Sequence, residues 1–94
     1  MEFEFDPAKD EANRFKHGLP LAFAKQIFDS NGHVIVASHR QIDGEDRFKA
    51  IAPIDDRLYT AVHVWRGDVV RLISVRRSNP GERRDYDSYT GRPE

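Results

Sequence analysis

From His33 to Arg76 the chain is a succession of four segments rich in β-branched and aromatic residues, separated by the turn dipeptides Asp43-Gly44, Asp55-Asp56 and Gly67-Asp68. No other feature constrains the fold as much, because a tight two-residue turn joins only antiparallel strands. Strands are predicted at about 33–40, 46–54, 58–66 and 69–76, each beside the next in one sheet. Pro53 falls near a strand end, where a missing N–H is tolerated. The tripeptide Arg66-Gly67-Asp68 is accounted for by the last of the turns.

Upstream, Phe3 and Phe5 alternate with Glu2 and Glu4, the period of a short strand with one buried face. Asp6 and Pro7 suit an N-cap and first helical position, predicting a helix over 7–17 that stops at Gly18, with Ala8, Glu11, Ala12 and Phe15 on one face. A second helix over 20–28 carries an apolar stripe of Leu21, Ala24, Ile27 and Phe28 and ends before Asn31-Gly32. Asn79, Pro80 and Glu82 have the spacing of a capping box, opening a final helix whose body is 82–89, with 90–94 frayed. Tyr86 and Tyr89 are expected to pack this helix onto the domain. The order strand, two helices, four strands, helix is that of an α+β domain with one sheet face covered and the other open.

A chain of 94 residues is one domain. At that size only about 60–65% of the unfolded surface is buried, so a partner would add stability. The absence of cysteine excludes disulfides and thiol chemistry and fits a reducing compartment. An acidic, alternating N-terminus without signal features, and no apolar run approaching the ~20 residues of a membrane span, place the expected site of action in the cytoplasm, away from membranes. The four histidines are scattered with no metal-ligand spacing, so no metal and no cofactor is expected.

Net charge is −1, which argues against whole-surface attraction to nucleic acid, but the charge is polarised. Residues 1–46 carry five Lys or Arg against nine Asp or Glu, whereas residues 47–94 carry ten against seven. Arg47 and Lys49, two apart on one strand, share a face opposite Phe48, Ala50 and Ala52: either a solvated sheet face or a phosphate-binding one. Arg71 and Arg76, five apart, project to opposite faces unless the strand ends or bulges near Val75; ion pairs to Asp46, Asp68 or Glu82 are the competing role. His17 sits in the last turn of the first helix beside Lys16, as a partner of the helix dipole or as a proton carrier. His63 has the parity of Tyr59 and Trp65, consistent with packing or, on an open face, with an acid; His33 and His39 fall at strand ends, as surface residues do.

Four segments, in order, resemble the BrnT family of toxins. They are Phe5-Asp6-Pro7-Ala8-Lys9 with Asn13-Arg14-Phe15-Lys16-His17-Gly18; Ala24 to Phe28; Asp46-Arg47-Phe48-Lys49-Ala50-Ile51; and Arg71-Leu72-Ile73-Ser74-Val75-Arg76-Arg77 continuing through Glu82-Arg83-Arg84 to Tyr86. The family pattern usually has a glycine after the Ala-Ile pair, where this chain has Ala52 followed by Pro53. The resemblance implies a RelE-like fold: an antiparallel sheet of four to five strands packed against two N-terminal helices, with a C-terminal helix. It implies a metal-independent endoribonuclease acting on mRNA, held in check by a BrnA-like ribbon-helix-helix antitoxin through which alone operator DNA is contacted. A homodimer of the free toxin is compatible with it.

Metal-free cleavage needs a proton acceptor, a proton donor and cations for the charge that gathers on phosphate. The first hypothesis takes Lys49, Arg76 and His17 as catalytic and Arg47, Arg71, Lys16 and His63 as RNA contacts, with the resemblance tipping Lys49 from a solvated charge to a phosphate contact. Arg77 is left as structural or antitoxin-facing. The alternative is a non-catalytic module that binds a DNA-binding antitoxin as co-repressor, favoured by the near-neutral charge and the Ala52-Pro53 departure.

Overall fold

The computed structural model describes residues 1–42 and 44–91, without the side chains of 39–42. Asp43 of the first predicted turn, the His39 side chain and the final stretch 92–94 lie outside the described residues. The elements are β1 (Glu2–Glu4), α1 (Pro7–His17), a 3-10 turn (Leu21–Phe23), α2 (Ala24–Asp29), β2 (Val34–Ile42), β3 (Glu45–Ile54), β4 (Arg57–Arg66), β5 (Val69–Arg77) and α3 (Pro80–Thr90). They form one α+β domain around a five-stranded sheet of order β1-β5-β4-β3-β2.

The four long strands are antiparallel neighbours, as their turns require. Asp55 and Asp56 both take left-handed backbone angles (φ 49° and 67°), the mirror-type turn that matches strand twist and that aspartate tolerates better than most side chains. β1 departs from the antiparallel expectation, pairing parallel to β5 from Glu2 opposite Val69 to Glu4 opposite Arg71. No hairpin links these two strands, so no turn dictates their direction, and the sheet is mixed.

One face of the sheet carries the main core. Leu21, Ala24, Ile27 and Phe28 form the predicted stripe and pack on Ala50, Ala52, Ala61, Val70, Leu72 and Val75. The three alanines let the helical layer sit close to the strands. On the other face, α3 lays Tyr86 on Val36 and Ile51, flanked by Val34 and Leu58. Tyr89, expected to pack as well, is 66% exposed. Because α3 rests chiefly on β2 and β3, the β4–β5 half of that face is left for other side chains.

α1 has the face read from the sequence, turned outward. Its face of Ala8, Glu11, Ala12 and Phe15 points to solvent, and Phe15 is 95% exposed. The buried residue is Asn13. β1 ends opposite Arg71, so the edge of β5 beyond it has no strand partner. The Asn13 amide takes that place: Nδ2 donates to the carbonyl of Val75 (2.9 Å) and of Leu19 (2.8 Å), and Oδ1 accepts from the Val75 N–H (3.1 Å). Asn13→Ala strands buried backbone groups of Val75, and an unfolding free energy lower by about 2–3 kcal/mol is expected in urea titration. A loss below about 0.5 kcal/mol would mean that water replaces the amide.

Candidate active site

β3 alternates as its sequence requires: Ala50 and Ala52 enter the helix-covered core, while Arg47, Lys49 and Ile51 face the α3 side. β5 does not alternate throughout. Val62 of β4 pairs with Ser74 but His63 pairs with Leu72, leaving Ile73 as an extra residue on β5. This bulge lets Leu72 and Val75 both enter the core although they are three apart. It equally puts Arg71, Ser74 and Arg76 on the other face, resolving the five-residue spacing of the two arginines. Two rows then cross the sheet there, Lys49 with Val62 and Ser74, and Ile51 with Thr60 and Arg76, so Lys49 and Arg76 approach each other diagonally.

Glu82 brings them together. It sits at the third position of α3, where Asn79 Oδ1 accepts from its N–H (2.8 Å) and its own Oε1 accepts from the Asn79 N–H (3.0 Å). This capping box turns the carboxylate down onto the sheet. There Oε2 accepts from Arg76 Nη2 at 2.6 Å and from Lys49 Nζ at 3.0 Å, and Oε1 accepts from the Thr60 hydroxyl at 3.1 Å. Glu82 is 1% exposed. Burial alone would raise its pKa, but the Asn79 N–H, the Lys49 ammonium and the Arg76 guanidinium outweigh it and hold the carboxyl below its usual range. It is therefore an ionised acceptor that cannot serve as an acid. Arg76 retains a buried, unpaired Nη1, and Arg47 a buried, unpaired Nε.

Beside this group lies a cleft of about 320 Å³, walled by Lys9, Lys16 and His17 of α1 and by Arg47, Ile73 and Ser74 of the sheet. The His17 pKa lies below the ordinary 6.5, first through partial burial and then through the positive charges of Lys16 and Arg76. Its imidazole is thus neutral at physiological pH and able to accept a proton. Arg71 lies on the same face, next to an adjoining cleft with Arg47, and is ion-paired to Glu4.

Arg47, Lys16 and His17 thus line one cleft, Lys49 and Arg76 sit beside it on Glu82, and Arg71 lines the adjoining cleft. His63 is not among them. It is fully buried on the helix-covered face, its ring 5.0 Å from that of Phe28 and its Nδ1 3.0 Å from the Ala61 carbonyl, and burial lowers its pKa. A larger cavity, about 540 Å³, lies elsewhere, at the tip of the β3–β4 hairpin. Asp55, Asp56 and Asp87 outnumber Arg57 and Arg83 in its lining, which disfavours a phosphate there, so size does not mark it as the site. Among the described residues no group of three or more acidic or histidine side chains is placed to hold a metal ion. No helix there is long and apolar enough to cross a membrane.

A family model described as the ribonuclease toxin, BrnT, of a type II toxin-antitoxin system matches residues 5–82. The chain belongs to the BrnT family. Comparison with curated proteins returned no match. The matched span runs from Phe5 to Glu82 and so contains every cation of the cleft together with the carboxylate that gathers two of them. For this BrnT chain, sequence reasoning treated Glu82 as a cap and an ion-pair candidate only, and overlooked Lys9. Lys9 and Lys16 are seven apart, two turns of one helix face, and that spacing is the signal that was available.

Proposed function

We propose that the chain is a metal-independent endoribonuclease that cleaves mRNA in the cytoplasm, neutralised by a BrnA-like ribbon-helix-helix antitoxin that alone contacts operator DNA. The supporting observation is the convergence of Lys49 and Arg76 on one oxygen of buried Glu82, beside a cleft holding a neutral histidine. His17 accepts the proton of the 2′-hydroxyl, whose oxygen attacks the adjacent phosphorus. Arg76 and Lys49, preorganised by Glu82, stabilise the charge that develops on the phosphoryl oxygens. Lys49 is the ammonium from which the departing 5′-oxygen takes a proton. The products are a 2′,3′-cyclic phosphate and a 5′-hydroxyl. Lys16 and Arg47 hold flanking phosphates, and Arg71, tied to Glu4, assists at the margin. His63, buried among aromatic rings, serves packing.

The reading is tested with purified, antitoxin-free chain and an end-labelled RNA. The expected outcome is cleavage to cyclic-phosphate ends that EDTA leaves unchanged and that a 2′-deoxy substitution at the scissile nucleotide abolishes. Cleavage lost to EDTA would refute metal independence. RNA left intact would favour the second reading, a non-catalytic co-repressor, which the resting neutralisation of Lys49 and Arg76 by Glu82 supports.

A further inference from the structure

We propose that the solvent face of α1 is the docking surface for an acidic, apolar-spaced segment of the antitoxin. The proposal rests on the antitoxin partnership of the toxin–antitoxin family and not on whether RNA is cut. Ala8, Ala12 and Phe15 stand at i, i+4 and i+7, which is one stripe of a helix, with Glu11 on the edge of the stripe away from the cleft. That stripe has no part in folding: α1 is fastened through Asn13 and through Asp10, whose Oδ1 accepts from the Leu21 N–H at 2.8 Å. Phe15, at 95%, is the most exposed large apolar side chain among the described residues. An aromatic ring held in water on a rigid helix is an anchor waiting for a partner.

Charge selects the partner. Lys9 and Lys16 run along the cleft side of the stripe, and Ala12 belongs both to the stripe and to the cleft wall. A second copy meeting this face antiparallel, about a two-fold axis perpendicular to α1, would set the lysine row of one α1 against that of the other. An acidic amphipathic segment instead places its apolar anchors on Ala12 and Phe15 and its carboxylates against Lys9, Lys16 and Arg47. These are the side chains that RNA phosphates would use, so a segment seated here excludes RNA without having to move any part of the toxin.

The probe is the BrnA-like antitoxin of the proposed function, with its affinity measured by calorimetry against wild type, Phe15→Gln and Phe15→Leu. Phe15→Gln is expected to weaken binding by about tenfold or more, with an unchanged melting midpoint and unchanged RNA cleavage, while Phe15→Leu retains most of the affinity. RNA should compete with the antitoxin for the wild-type chain. Equal affinity of the Gln variant would overturn the proposal. So would a wild-type dimer in sedimentation that Phe15→Gln dissolves without altering antitoxin affinity, since the stripe would then belong to a second copy. A chain that cuts no RNA would still report on this surface through antitoxin affinity alone.

Discussion

Arg76→Lys and Lys49→Met each lower the rate of RNA cleavage by about 100-fold or more while the domain stays folded. Lysine at position 76 keeps a positive partner for Glu82, so the buried carboxylate is not left alone, but it lacks the second guanidinium nitrogen that is unpaired in the resting site. Methionine at 49 keeps the length and apolar stem of lysine and removes the ammonium, with Arg76 still bound to Glu82. Each change thus removes a group that the proposed mechanism sets against phosphate and retains the packing. Single-turnover rates measured beside urea denaturation separate the two effects: activity lost in step with stability would reassign both residues to structure. The pH profile of kcat/KM adds an independent reading of His17. A base must be deprotonated, so activity falls as pH drops through the His17 pKa, and the midpoint of that limb is expected below 6.5. His17→Gln should lower the plateau and flatten the limb. A limb unchanged in that variant would take the base role from His17.

Glu82→Ala should cost about 3–5 kcal/mol of stability, the penalty for removing one side of a buried ion pair. The change strands two half-buried cations, leaves the Thr60 hydroxyl with Ser78 alone, and opens half of the α3 capping box. A fully exposed ion pair would contribute an order of magnitude less, which is why the 1% exposure of Glu82 decides the expectation. The pH dependence has a definite sign. The folded pKa of Glu82 is depressed below the usual 4.5, so its ionised form contributes stability that is fully present above that value and is lost as pH falls through the folded pKa. Glu82→Gln preserves shape and removes the charge; its deficit relative to wild type is therefore largest near neutrality and shrinks below about pH 4.5. Urea titrations at a series of pH values check this, and a deficit independent of pH would show that the carboxylate is not what binds the two cations.

Much of this architecture was legible because it is written in local chemistry. Paired turn residues set the strand order, Asp6 and Asn79 with their prolines opened two helices, and the Leu21, Ala24, Ile27, Phe28 stripe found the main core. The shared face of Ala8, Ala12 and Phe15 on α1 was equally real. Periodicity reports that a face is apolar and is silent on what covers it. The sheet edge turned out to need the Asn13 amide instead, which left Phe15 outside.

From residues alone came the neighbours of the four long strands, the limits of the first helix, the start of the last and the shared face of Arg47 and Lys49, because these depend on dihedral preference, capping and a period of two along a strand. The predicted helix over 20–28 instead folds as a 3-10 turn followed by α2. Folding decided the rest: that β1 runs parallel to β5, that an extra residue at Ile73 turns Arg71 and Arg76 to one side, and that Glu82 draws Lys49 and Arg76 onto one oxygen. Those features join residues as much as 67 positions apart, as Glu4 and Arg71 are. Distances across such loops follow from how whole elements pack, and no local propensity encodes them.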